Sequence, residues 1–139
     1  MANPAEILKS ATTLKTKSVE GCICELISKV FTSRNIIHFS HWASKSYAQH
    51  TALGSLYDDI VSDVDEIVEC YQGKFGLIKD LHCDAATRPK DITKHVRDEM
   101  DWIENNRTFI SKGNTSIESL IDILLSHYQK TIYKLENLK

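Results

Sequence analysis

Apolar residues recur three and four positions apart along four stretches of the chain, the spacing of one buried face of an α-helix. In the first stretch Val19, Ile23, Leu26, Ile27, Val30 and Ile37 keep this spacing, which predicts a helix from about Thr16 to Ala43. Gly21 lies inside it, where glycine costs ~1 kcal/mol of helix propensity but permits a close helix contact. The second stretch opens at Ser46, an N-cap with Gln49 three residues on, a capping box. It carries Leu53, Leu56, Tyr57, Ile60, Val64, Ile67, Val68 and Tyr71 and is expected to stop at Gly73. Lys74 to Arg88 is mixed in character, with Gly76 and an expected short helix around Leu77 to Cys83. Pro89 is placed as an early residue of the third helix, which carries Ile92, Val96, Met100, Ile103 and Ile110 and ends at Lys112-Gly113-Asn114. Thr115 and Glu118 predict a second capping box, opening a fourth helix with Ile117, Leu120, Ile121, Leu124, Tyr128, Leu135 and Leu138.

Five glycines and two prolines in 139 residues leave long stretches with neither, which favours an all-α protein. Four amphipathic helices with one long connection, between the second and third, predict a four-helix bundle with a crossover between two hairpins, the connectivity of ferritin-like bundles. The length fits one domain, read as a short tail over 1–15 and the bundle over 16–139. A chain of this size needs no disulfide or structural metal to hold its core.

Charge and cysteine content narrow the classes. A net charge of −2 argues against a surface that is basic overall. Only the first 17 residues lean basic, with Lys9, Lys15 and Lys17 against Glu6, so DNA binding is weakly supported. Cys22, Cys24, Cys70 and Cys83 form no C-x-x-C pair and read as free thiols of a reducing compartment. Met1 to Ala11 lacks the apolar core of a signal peptide, and no run of ~18 apolar residues predicts a membrane span. The expected location is cytoplasmic.

Candidate chemistry concentrates in Ile36-Ile37-His38-Phe39-Ser40-His41-Trp42, followed by His50, Asp65 and Glu69. Imidazole and carboxylate donors of this kind suit Fe, with Mn or Zn as the other ions the set would take. His41 ends the first helix and His50 lies near the start of the second, so a short turn brings them together. Asp65 and Glu69 are four apart and share a helix face. Asp65 lies fifteen residues beyond His50, roughly 22 Å along one helix axis at 1.5 Å per residue. One ion cannot be held by both within a chain. Two chains packed antiparallel through the second helix, about a two-fold axis near residues 57 and 58, would bring them together twice. The plainer reading is that Asp58, Asp59, Asp63, Asp65, Glu66 and Glu69 form a solvated acidic face and that the histidines are structural.

The run Ile37-His38-Phe39-Ser40-His41-Trp42 resembles the end of the first helix of Dps-type mini-ferritins, where an apolar and aromatic stretch leads into His-Trp. His50-Thr51-Ala52-Leu53-Gly54-Ser55-Leu56-Tyr57 is similar to that family's following His-x5-Leu-Tyr run, and Asp65-Glu66-Ile67-Val68-Glu69 to its Asp-x3-Glu. Asn114-Thr115, Leu120-Ile121 and His127 to Leu135 look similar to its last helix. The resemblance spans about residues 19–139 and implies a ferritin-like fold. It also implies an inter-subunit ferroxidase site with His41 and His50 from one chain and Asp65 and Glu69 from its partner, iron as the ion, and a homo-oligomer reaching a twelve-chain shell. Where the family has an acidic residue four after the second His, this chain has Gly54. That glycine either leaves a coordination position open or lets helices approach closely. The alternative is a bundle that has lost catalysis and serves as a structural or interaction protein. No G-x-S-x-G, G-x-G-x-x-G or P-loop motif offers another chemistry. His82 and Cys83 are poor zinc candidates, Trp42 and Trp102 are expected as core or interface anchors, and His127 receives no role.

Overall fold

The computed structural model describes residues 22–139. These form four helices, α1 (Ile23–Ala43), α2 (Tyr47–Phe75), α3 (Ile92–Ser111) and α4 (Thr115–Asn137), so the all-α expectation holds. Each helix packs against two others: α1 and α4 both lie against α2 and α3. The apolar stripes read from spacing close into one core. Leu26, Val30 and Ile37 of α1 meet Leu53, Ile60 and Ile67 of α2, Val96, Ile103 and Ile110 of α3, and Ile117, Ile121 and Leu124 of α4, all fully buried. Each such side chain contributes about 1.5–3 kcal/mol when removed from water.

Contacts between helices fix their directions. Ser33 faces His95, and Lys29 faces Trp102, so α1 and α3 run antiparallel. Arg97 pairs with Glu136 and Arg107 with Glu118, so α3 and α4 are antiparallel too. Lys112, just past α3, lies over the rings of Tyr71 and Phe75 at the end of α2, so α2 and α3 are parallel and finish at the same pole. The segment between them must therefore return along the whole bundle. It does so in extended form: Leu81, His82 and Cys83 border a groove with Ile27, Phe31 and Val64, the Asp84 amide donates to Thr32 Oγ1 at 2.9 Å, and Arg88 and Pro89 reach Ser40 and Ala43. The long connection is thus a crossover between two hairpins, as its length predicted.

Helix ends depart from expectation in instructive ways. Cys22 is extended, so α1 starts at Ile23 rather than Thr16. The portion of that expectation over 16–21, with Val19 and Gly21, lies outside the described residues, as does the tail over 1–15. Ser46 caps α2 as predicted, accepting from the Gln49 amide at 3.2 Å. The Gln49 side chain does not close the box; it accepts from Ser44 Oγ at 2.7 Å instead. Helix α2 passes through Gly73 and stops at Gly76, whose φ of 93° is the left-handed conformation that disfavours a side chain. The expected short helix over Leu77 to Cys83 does not form. Pro89 lies outside α3, which Asp91 caps through the Lys94 amide at 3.0 Å. Asn114, not Thr115, caps α4, accepting from the Ile117 amide at 3.0 Å.

Glu118, released from the expected box, has another task. It accepts from Arg107 Nε at 2.6 Å and from Ser111 Oγ at 2.6 Å, and Arg107 also reaches Asp122 at 2.5 Å. The two carboxylates hold the Arg107 guanidinium far above its ordinary pKa. This network fastens the α3–α4 hairpin beside its turn. Among the described residues, no helix is long and apolar enough to cross a membrane. Replacing Arg107 by Ala should lower unfolding free energy by about 1–3 kcal/mol, the cost of leaving charge-assisted bonds unmade. Urea denaturation checks it, and a change below ~0.5 kcal/mol would mean that solvent replaces the network freely.

Candidate functional site

The turn of residues 44–46 between α1 and α2 brings His41 and His50 together, as predicted. Their rings stack with centroids 3.7 Å apart and planes 19° from parallel. Each ring also reaches the other residue's backbone. His41 Nδ1 lies 2.5 Å from the His50 carbonyl, and His50 Nδ1 lies 3.0 Å from the His41 carbonyl. A carbonyl only accepts, so both Nδ1 atoms carry hydrogen and donate. In the neutral rings the Nε2 atoms are therefore left as acceptors. Among the described residues neither Nε2 has a hydrogen-bond partner. An imidazole anchored through one nitrogen, with the other free, is the form in which proteins present histidine to metals.

Two features restrain that chemistry. In-plane lone pairs of rings stacked this closely do not converge, so one ring must turn before both can hold a single ion. Gly54 lies against the clasp: a Cβ built there would stand 3.0 Å from His41 Cε1 and 3.2 Å from Nδ1. The glycine is a point of close approach between α2 and the His41 ring, the second of the two readings the sequence left open.

An aromatic patch continues from the clasp. His38 stacks on Tyr57 at 4.1 Å and 21° and packs on Trp42 at 4.1 Å, and the Tyr57 edge meets His41. Arg34 donates to His38 Nδ1 at 3.0 Å, since a guanidinium cannot accept. Desolvation, followed by the Arg34 charge, holds the His38 pKa below its ordinary value. Trp42, expected as a core or interface anchor, is not in the core; it is 66 % exposed. Trp102 is partly buried against the core, beneath the Lys29 ammonium.

Asp65 and Glu69 lie on the exposed surface of α2, far from the histidines at its start. Asp65 borders the groove of about 340 Å³ beneath Leu81 and His82. One chain does not unite the four predicted residues, in keeping with the spacing argument. Among the described residues no group of three or more His, Cys, Asp or Glu side chains could hold a metal ion. All four cysteines are free.

A polar set that sequence reasoning passed over lies deeper. His127 pairs closely with Asp63 across α2 and α4, with Asp59 4.0 Å from its other nitrogen. Asp63 is thus no part of a solvated acidic face: its side chain is only 11 % exposed, and burial raises its pKa although the His127 bond opposes this. On α3, His95 Nε2 lies 2.7 Å from Ser33 Oγ and 3.2 Å from Glu99 Oε2. Ser, His and a carboxylate here do not make a nucleophile relay. Both contacts fall on one nitrogen, whereas a relay needs one nitrogen for the serine and the other for the acid. Glu99 is buried, its carboxylate lies beside the buried hydroxyl of Tyr128, and among the described residues neither Glu99 Oε1 nor that hydroxyl has a hydrogen-bond partner in good geometry. Burial and then the nearby Glu99 charge push the Tyr128 pKa well up. The signal for Glu99 was present: it stands seven after Ile92 and four before Ile103, in the register of the apolar stripe.

Two predictions follow from this geometry. With His41 in place, Gly54→Ala should bring no stability gain, because the new methyl meets a ring pinned by its hydrogen bond. In a His41→Ala background the same change should stabilise by about 1 kcal/mol, the helix preference of alanine. A double-mutant cycle by urea unfolding reads the difference, and equal effects in both backgrounds would deny the contact. For Asp63, a raised folded-state pKa means that the folded chain binds this proton more tightly than the unfolded chain. Its contribution to stability then falls as pH rises through the acid range. The stability of Asp63→Asn relative to the parent should accordingly rise from about pH 4 to about pH 6. A relative stability that is flat or falls over that range would contradict the burial argument.

No characterised protein and no solved structure is matched by the chain. A family model does match, over residues 41–135, a span holding both clasp histidines, Asp65 and Glu69. The chain belongs to that family, DUF5856, a family of unknown function.

Proposed function

We propose that the protein is a Dps-like, iron-binding and iron-oxidising oligomer of ferritin-like fold, with its metal site shared between two chains. The observation that carries the reading is the clasp: two histidines anchored through Nδ1, each with Nε2 free, and no third donor grouped with them in the described part of one chain. The crossover between two antiparallel hairpins is the connectivity that ferritin-like bundles use. Exposed Phe31, Trp42 and Leu81 leave apolar surface beside α1 for a second chain to cover. Packed about a two-fold axis near Tyr57, that chain would bring Asp65 and Glu69 towards the histidines.

In this scheme Fe(II) is the substrate. His41 and His50 supply nitrogen donors after one ring turns, and Asp65 and Glu69 balance the ion's charge and bridge metal ions. Dioxygen or peroxide accepts the electrons. Gly54 supplies no carboxylate, so the protein would offer one ligand fewer on that side.

A second reading has its own support. The stacked rings and their reciprocal carbonyl bonds close the α1–α2 hairpin without any ion, and Gly54 fits that contact. On this reading the bundle is a scaffold whose aromatic patch meets another protein.

An anaerobic Fe(II) titration with light scattering separates the two. The iron reading expects at least a dimer, stoichiometric Fe(II) binding, and a rise in ferric absorbance when air is admitted. Asp65→Ala, Glu69→Ala and His41→Ala should each weaken binding by about tenfold or more at unchanged helix content. A monodisperse monomer, or three variants that bind iron as the parent does, would leave the scaffold reading.

A further inference from the structure

Where the crossover ends, a small polar cavity opens between the α1–α2 turn and the start of α3. It measures about 200 Å³ and is walled by Ser44, Gln49, Arg88, Pro89, Lys90 and Ile92. The fold holds each side of it. The Ser44 hydroxyl accepts from the Ser46 amide at 3.3 Å and donates to Gln49 Oε1 at 2.7 Å. Arg88 precedes a proline, which restricts it to extended backbone. Lys90 stands next to Asp91, the cap that starts α3.

The charge on this wall is of one sign. Arg88 and Lys90 line the cavity and no carboxylate does. Among the described residues neither cation has an ion-pair partner, whereas on α3 Lys94 meets Asp98, Arg97 meets Glu136 and Arg107 meets Glu118. Two like charges on one small wall repel, and an anion between them replaces that repulsion with attraction. Neutral donors add to the pattern. With Gln49 Oε1 taken by Ser44, both hydrogens of Gln49 Nε2 are left without a partner among the described residues. Asp91, the acidic neighbour in sequence, is not on the wall, and its Oδ1 takes the Lys94 amide. The amides of Ile92 and Thr93 lie in the first turn of α3 with no acceptor among the described residues, at the positive end of the helix dipole.

We infer that this cavity binds a phosphate dianion, free or as the head of a small monoester, with Arg88 and Lys90 matching its two charges. The planar Arg88 fork suits two phosphate oxygens at once, and Lys90 acts as a point charge. The Gln49 amide and the first turn of α3 donate to the remaining oxygens. A carboxylate carries one charge and would leave one cation unmatched. Pro89 and Ile92 give the cavity an apolar side on which ester carbons can lie. The inference does not depend on iron chemistry, since none of these residues belongs to the clasp or to the exposed carboxylates of α2.

Calorimetry on the full, chelator-treated chain at low salt tests it, with the Gln49 side-chain amide and the Ile92 and Thr93 backbone amides as local NMR reporters. The probes are inorganic phosphate, glycerol phosphate and acetate. At least one of the two phosphates should bind saturably by about 10 mM and shift those resonances, and acetate should bind about tenfold more weakly or worse. Comparing the two phosphates separates the sources, and saturation by either upholds the inference. Arg88→Gln and Lys90→Gln should each weaken the phosphate by about fivefold or more. Both side chains are exposed, so neither change disturbs the core. Lys45→Gln removes an exposed charge from the same turn but not from the wall, and should alter binding by less than about twofold. The inference fails if neither phosphate saturates by about 10 mM, or if acetate binds as well as they do. It fails equally if either wall variant binds as the parent does, or if Lys45→Gln weakens binding as much as they do, the mark of a diffuse field rather than a site.

Discussion

Two imidazoles that each donate to the other's backbone carbonyl set the geometry of the α1–α2 hairpin. The His41 carbonyl belongs to the last turn of α1, where orphan acceptors accumulate, and it takes the His50 ring bond beside the one from the Ser44 amide. The arrangement also fixes the tautomer of both rings. A histidine in a mobile loop would choose its donor nitrogen freely, but here the backbone decides. The geometry at this end of the molecule accords with that choice: the Nε2 atoms without a partner among the described residues, the close approach of Gly54, and the stacking that carries through Tyr57 to His38. The clasp is a structural device that leaves two Nε2 atoms without a partner among the described residues, which is why two readings of it compete.

The second constraint is the direction of α3. Because α2 and α3 end at the same pole, the chain must cross the full bundle length in extended form between them. An extended strap has no helical hydrogen bonds of its own and must borrow partners. It finds one at Thr32 and supplies the rims of two cavities as it passes. On one side of α1 the rim is apolar, and on the other it passes His95 and the buried carboxylate of Glu99. That carboxylate lies within a core otherwise built largely of isoleucine, leucine and valine. Paired buried charges are seldom a net gain over apolar packing. Glu99, held in the core beside Tyr128, is therefore not explained by stability gained from its charge.

Helix number, core stripes and the long crossover were legible because periodicity averages over many residues. Val96, Ile103 and Ile110 need only their spacing to reveal a buried face. Helix ends were less legible because each is a contest among nearby cappers. Ser46 won as expected and Asn114 displaced Thr115, while Asp91 starts the third helix beyond the expected early position of Pro89, each cap offering a side-chain oxygen to an amide three residues on. Gly73 and Gly76 look alike in sequence, yet only Gly76 has the positive φ that ends a helix. The start of α1 at Ile23 follows the extended backbone of Cys22, a residue with no capping side-chain bond to announce it. The meeting of His41 and His50 was legible from a nine-residue separation across a turn. The pairing of His127 with Asp63 was not, since the two lie 64 positions apart and one of them sat in an apparent acidic run. Glu99 stood in plain view as a charge in an apolar register, and its neighbours on other helices were what the sequence lacked.

Gly54 shows how one residue can bear on both structure and chemistry. An acidic side chain at this position would add a metal ligand four residues from His50, on the same helix face. Its Cβ would also enter the space that the His41 ring now fills. The ring cannot withdraw without loosening its bond to the His50 carbonyl, and that bond fixes the tautomer that leaves Nε2 free. Ligand number and ligand poise therefore oppose each other at this turn. A chain with glycine here keeps both imidazoles anchored and forgoes a carboxylate. Turning either ring would give up its stacking and its carbonyl bond, so the energy of both opposes any opening of the clasp.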